Sequence, residues 1–257
     1  MKRFYPIFLA FLTLMALPAC AGSPIPGPAI GPGYHGTYRY KMTVCVDTPE
    51  GQKCGSAVRE VFARDSTQQV VPGIGKGGCV TSVKGEAVVV DLGQRGKLFA
   101  LLKDGRGSTD MAADLPAYTF PILGSPGGCL KDNIKHYENL EAKGPVDLQF
   151  HPLMVAFKDM TDPTSVQYVY GVEEYNEKSP GGGYDRLWRV KEDNFEKLFG
   201  KGVKLNSVTL EMTDEPVTRG VLKQLPSFND SKHYMEWFNS LKYGNPLQVG
   251  PSDYYKK

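Results

Sequence analysis

Five cysteines, at positions 20, 45, 54, 79 and 129, constrain this chain more than any other feature, because an odd count leaves one without a partner. The N-terminus separates their roles. Lys2 and Arg3 precede fourteen uncharged, largely apolar residues, FYPIFLAFLTLMAL, at positions 4 to 17. That run falls short of the ~20 residues a bilayer-spanning helix takes, and its form is that of an export signal. Cys20 follows it almost at once. Export places the remaining four cysteines in oxidising surroundings, where two disulfides are expected.

Leu17-Pro18-Ala19-Cys20 resembles the bacterial lipobox, in which a lipid is attached to the cysteine and residues 1–19 are cut away. Ala19-Cys20-Ala21 also fits the small-x-small site of ordinary signal cleavage, which would release a soluble periplasmic or secreted protein. Residues 20–36 favour the anchor: AGSPIPGPAIGPGYHG after Cys20 is a Gly/Pro-rich tether that stays extended and suits a body held just off a membrane. Ala21 stands where an inner-membrane retention signal would carry Asp, so the lipobox resemblance implies the periplasmic face of the outer membrane. Removal of Lys2 and Arg3 lowers the basic count from 30 to 28, equal to the 28 acidic residues. A neutral mature chain offers no broad basic face, and no nucleic-acid partner is expected.

From residue 37 the chain reads as a single β-rich domain. TYRYKMTVCVD (37 to 47) alternates polar and apolar residues, TPEG offers a turn, and CGSAVREVFAR (54 to 64) runs back as a hairpin. GEAVVVDL (85 to 92) and KLFALLK (97 to 103) predict a second hairpin, whose unbroken apolar runs imply strands covered on both faces. Further strands are expected at 146–150, 153–159, 165–172, 186–190 and 203–213.

Helices are few and short in this reading. Lys191-Glu192-Asp193 leads into Phe195, Leu198 and Phe199 before Gly200. Tyr234, Trp237, Phe238 and Leu241 recur at helical spacing behind Asn229-Asp230-Ser231, a stripe expected to dock on a core. YNEKSPGGGYD (175 to 185) reads as a loop within a candidate insertion at 171–188. The fold class predicted is α+β, mostly β, with hairpin-rich antiparallel sheets and a few short helices.

Three stretches carry a resemblance: FKDMTDPTSV (157 to 166), LFGKGVKLNSVTLEMTDEPVTRG (198 to 220), and YRYKMTVCVDTPEG (38 to 51) with GSAVREV (55 to 61). Together they resemble an uncharacterised family of proteobacterial exported proteins, over much of residues 38 to 226. The chain departs from that pattern in YGVEEYNEKSPGGGYDRLWR, and in Cys45 and Cys54, where the family carries Glu or Thr. The resemblance implies an envelope protein and no activity, so no functional residue is carried over.

The templates for chemistry fit poorly. There is no G-x-S-x-G elbow, and GRGSTD (105 to 110) and GSPGG (124 to 128) read as turns. His35, His136, His151 and His233 are far apart, no C-x-x-C occurs, and GIGKGG (73 to 78) lacks the Ser or Thr of a phosphate loop. Neither a cofactor nor a metal is therefore expected. Carboxylates do gather at Glu211, Asp214 and Glu215, and at Asp159 and Asp162. Paired acids can hydrolyse glycosides or hold Ca²⁺, while T-D-E-P and T-D-P are also ordinary turns in which Asp bonds its own backbone.

Four cysteines allow three connectivities, and Cys45–Cys54 with Cys79–Cys129 is the one expected. A two-residue Pro49-Glu50 loop sets Cys45 opposite Cys54, whereas a three-residue loop turns them to different faces. The function expected is that of a non-enzymatic, membrane-anchored envelope lipoprotein with a structural or binding role in the periplasm, its partner an unknown envelope protein or ligand. An envelope hydrolase using Glu211, Asp214 or Glu215 is the alternative.

Overall fold

The computed structural model describes residues 32–104, 108, 111–124, 127–228 and 231–257. The expected export signal, Cys20 and the expected tether up to Gly31 lie outside the described residues, as do residues 105–107 and 109–110 of GRGSTD, 125–126 of GSPGG, and Asn229-Asp230 of the expected helix cap. Among the described residues thirteen strands and five α-helices follow in order. They are β1 (Tyr34–Thr48), β2 (Gly51–Asp65), β3 (Val70–Val71), β4 (Gly75–Lys76), β5 (Cys79–Glu86), β6 (Val88–Asp91), β7 (Lys97–Asp104), α1 (Met111–Thr119) and α2 (Lys131–Glu138). Then come β8 (Lys143–Pro145), β9 (Pro152–Phe157), β10 (Val166–Lys178), β11 (Tyr184–Asp193), α3 (Phe195–Phe199), β12 (Lys204–Met212), α4 (Ser231–Ser240), α5 (Pro251–Tyr254) and β13 (Tyr255–Lys256).

A six-stranded sheet runs β13-β5-β2-β1-β12-β8 and a five-stranded sheet runs β11-β10-β9-β7-β6, with antiparallel pairing throughout. This is the predicted class. Period-two alternation in β1 turns Tyr38, Tyr40, Met42, Val44 and Val46 inward, where all are buried. They share one core with Val88, Val90, Leu98, Ala100, Met154 and Ala156 of the second sheet. Full burial of each such side chain contributes about 1.5–3 kcal/mol. Where β6 passes under β2, the Val89 carbonyl lies against Gly55 and leaves no room for a Cβ.

The second sheet is buried on its far face too, as the unbroken apolar runs required. Phe99, Leu101, Leu153 and Val155 pack there under Val221, Val249 and Tyr254 of the C-terminal segment. Trp237 and Phe228 join that layer, so the aromatic stripe of α4 docks on a core as expected. Glu86 fixes the start of this cover by accepting the backbone N–H groups of Gly220 (2.6 Å) and Val221 (2.8 Å).

β1 and β2 outrun the second sheet, and α1 and α2 cover the overhang. Ile134 and Tyr137 of α2 and Leu115 and Ala117 of α1 enter the same core. Tyr38 bonds the Gly128 carbonyl, and Tyr40 donates to the Ala112 carbonyl at 2.6 Å.

Several expectations are corrected. β1 begins at Tyr34, so the last three residues assigned to the tether already pair with Ala63, Arg64 and Asp65. Residues 85–92 are two strands, divided at Ala87 where the chain leaves one sheet for the other. Leu148–Phe150 is a 3-10 turn rather than a strand. Lys191 to Asp193 continue β11, which shortens the helix to Phe195–Phe199. The stretch 175–185, expected as a loop throughout, is the end of the β10–β11 hairpin, with strand pairing up to Lys178 and again from Tyr184.

Candidate functional site

Both expected disulfides are present. Cys45 stands directly opposite Cys54 with Cα atoms 4.1 Å apart, because the loop between the strands is only Pro49-Glu50. That register resolves the ambiguity of the turn: Gly51 takes its positive φ as the first residue of β2. Cys79 opens β5 and joins Cys129, just ahead of α2, across 5.5 Å between Cα atoms. This bridge ties the helical cover of the overhang to the sheet.

A cavity of about 780 Å³ opens where β12 leaves the first sheet. β12 ends at Met212, opposite Tyr40, while β1 continues to Tyr34 paired with β2 alone. The gap is walled by Thr37 to Arg39 of β1, residues 137 to 143, and residues 211 to 214. Its charged lining is Arg39, Glu138, Glu141, Lys143, Glu211 and Asp214. Glu138 accepts the Thr37 N–H at 3.2 Å and occupies the strand edge that β12 has left.

The predicted carboxylates divide around this groove. Glu211 and Asp214 line it, and Glu215 does not. Glu211 pairs with Lys143 at 2.9 Å and Glu215 with Lys41 at 2.6 Å, while the Asp214 backbone carbonyl accepts from Arg39 at 3.4 Å. A hydrogen bond and charge from Lys143 hold the Glu211 carboxyl below its usual range. It therefore carries no proton to give at neutral pH, as a general acid must. Arg39 is itself paired with Glu60 at 2.8 Å. With both groove cations engaged, Glu138, Glu141 and Asp214 remain as unbalanced negative charge, a surface suited to a cationic or hydrogen-bonding partner. Asp159 and Asp162 form local turns, each accepting from the Thr two residues on.

No histidine lines the groove. His151 is held elsewhere, between Tyr170 (Nδ1 to Oη, 3.0 Å) and the Val146 carbonyl (Nε2 to O, 3.1 Å). Since a carbonyl only accepts, Nε2 carries the proton and Nδ1 accepts from Tyr170. Among the described residues no group of three or more His, Cys, Asp or Glu is placed to hold a metal.

Arg59 and Glu86 are among the buried polar residues that escaped the sequence reading. Arg59, 1% exposed, donates Nε to the Glu86 carbonyl at 3.0 Å and lies 5.9 Å from the Tyr40 ring, and its Nη2 has no hydrogen-bond partner among the described residues. Glu86 lies buried beside it. Alternation held the signal for Arg59: it shares the inward parity of Ala57, Val61 and Ala63. Comparison of the chain with protein-family models, with curated proteins and with solved structures found no match.

Proposed function

We propose that this chain is a bacterial envelope protein, lipidated at Cys20 and held at the periplasmic face of the outer membrane, whose body works by binding rather than catalysis. The observation that carries the reading is the division of the cysteines. Four are joined in two disulfides within the fold, and the fifth follows an export signal in a lipobox-like setting. Paired thiols suit an oxidising compartment, and the remaining cysteine suits an anchor. The groove beside β1 is the contact surface in this reading, because its excess of carboxylates can hold a partner's cations.

Two measurements test it. Growth on radioactive palmitate labels the wild-type chain and not Cys20→Ala, whereas an unlabelled wild type or a labelled variant refutes the anchor. A photo-crosslinker at Glu141, an exposed groove residue, then captures one recurring envelope component in intact cells. Equal capture of the same component from Leu222, on the C-terminal cover, removes the groove from the proposal.

The hydrolase reading draws on Glu211 and Asp214 sharing the groove. It would need an acid that keeps its proton, and Lys143 works against that at Glu211. Hydrolysis of an envelope glycan by the wild type and its loss in Glu211→Gln would restore it.

A further inference from the structure

The end of the body at which β1 begins gathers exposed apolar side chains on a sheet face and a projecting hairpin. Tyr34 and His35 pair with Asp65 and Arg64, and from Asp65 the chain leads into the small β3–β4 hairpin. Ile74, at the tip of that hairpin, is 70% exposed, and Val70 beside it is exposed as well. Val80, opposite Arg64 on β5, is 59% exposed and lies diagonal to exposed Phe62 on the same face. The His35 ring stands 6.1 Å from Phe62. Leu130, next to Lys131, adds to the same end, since the Lys131 N–H bonds Asp65 at 3.0 Å.

Exposed cations stand at this end: Arg64 shares the outer face of the sheet with Phe62 and Val80, Lys76 pairs with Val70, and Lys131 and Lys135 lie beside Tyr34, whose parity is that of the inner face. Lys131 and Lys135 both stand over the Tyr34 ring, at 6.0 and 5.6 Å. The carboxylates of this end include Asp65, Asp114, Asp132 and Glu138, and Asp114 accepts from Thr81 at 2.7 Å. Asp65 is engaged by Thr67 and the Lys131 N–H, and Glu138 by Tyr34 and the Thr37 N–H.

We propose that this end seats on a phospholipid surface, with Ile74, Val70, Val80 and Phe62 entering the interface and Arg64 and Lys76 meeting anionic headgroups. The inference rests on the lipid-anchored reading above. Chain length selects the membrane as the occupant. Eleven residues separate Cys20 from Pro32, the first described residue, and they can span at most about 40 Å. A lipid on Cys20 therefore keeps the Tyr34 end of the body within that distance of the bilayer. Apolar side chains rimmed by Lys and Arg are the composition that interfacial binding requires.

The test uses the full chain, lipidated in cells and reconstituted into vesicles of phosphatidylethanolamine and phosphatidylglycerol with brominated acyl chains. Ile74→Trp and Leu222→Trp are compared, each as emission added over the wild type, since both positions are exposed and tolerate a larger side chain. Brominated lipid is expected to cut the emission from position 74 about two-fold or more and to leave position 222 unchanged. A chain that floats with the vesicles but shows no quenching at position 74 overturns the docking and leaves the anchor standing. Equal quenching at both positions overturns the orientation. A chain without lipid that fails to float overturns both readings.

Discussion

Tyr40 donates its hydroxyl to the carbonyl of Ala112 at 2.6 Å, and it does so because Pro116 cannot. In an α-helix the N–H of residue 116 would bond that carbonyl four residues back, and proline has no N–H. A strand side chain thus completes the hydrogen bonding of α1 and fastens the helix over the overhang of the first sheet.

Tyr40→Phe leaves the Ala112 carbonyl buried and unpaired and also removes the acceptor of Arg59 Nη1, 3.5 Å away. The expected loss is about 1–3 kcal/mol in urea unfolding. Pro116→Ala restores an N–H in the helix, so in the Tyr40→Phe background it recovers about 1 kcal/mol. Strict additivity of the two substitutions would show that the carbonyl does not couple them.

The disulfides differ in what they restrain. Cys45–Cys54 closes a short loop within a hairpin already in register, and Cys79–Cys129 closes 50 residues of separation and secures α2. Chain entropy assigns them about 2.7 and about 4.1 kcal/mol, so of the paired Cys→Ala variants the one without Cys79–Cys129 should unfold first. Removal of the longer bridge is expected to lower Tm by about 8–16 °C. A larger drop on losing Cys45–Cys54 would show that strand register depends on the bridge.

What the sequence disclosed was set by parity and by breakers. β1 and β2 were legible because strict alternation has one physical meaning in a half-buried strand. α1 was not, because Pro116 stands at its sixth position and reads as a stop, and the compensating hydroxyl lies 76 residues earlier. Ala87 gave no sign that the chain changes sheets, since Val88 to Val90 read as a continuation of the same strand. The carboxylate cluster was visible as composition, but its partners, Lys143 and Lys41, come from strands distant in sequence. The groove could not be read, because it is the space left where β12 ends before β1 does.

His151 gives the fold a defined response to acid. Burial lowers its pKa from the usual 6.5, and Tyr170, whose phenol burial raises to about 12, remains a donor to Nδ1. Protonated His151 would turn a second N–H toward that donor. A base with a depressed folded pKa binds fewer protons folded than unfolded, so its contribution is fully present above pH 6.5 and is lost as pH falls from there toward the folded value. Asp253 acts in the opposite sense, because burial raises its carboxyl and favours the protonated folded state at low pH. His151→Gln keeps one donor and one acceptor without titrating. Between pH 7 and 5 its Tm should fall less than that of the wild type, and parallel curves would refute the assignment.

Arg59 makes the sharpest energetic prediction. Its guanidinium is buried with no carboxylate in ion-pair contact among the described residues; it is held by the Glu86 carbonyl and the Tyr40 hydroxyl and ring, and Nη2 is unpaired. Desolvating such a charge costs more than two neutral acceptors return. Arg59→Met, similar in length and apolar, removes that cost and leaves one carbonyl to be resatisfied, so stability is expected to be unchanged or to rise by about 1–3 kcal/mol. Arg59→Ala opens a cavity beside Tyr40 and Gly85 and should lose about 2–4 kcal/mol. The pair separates charge from volume: if Met proves as damaging as Ala, the guanidinium's hydrogen bonds and its contact with the Tyr40 ring outweigh its desolvation.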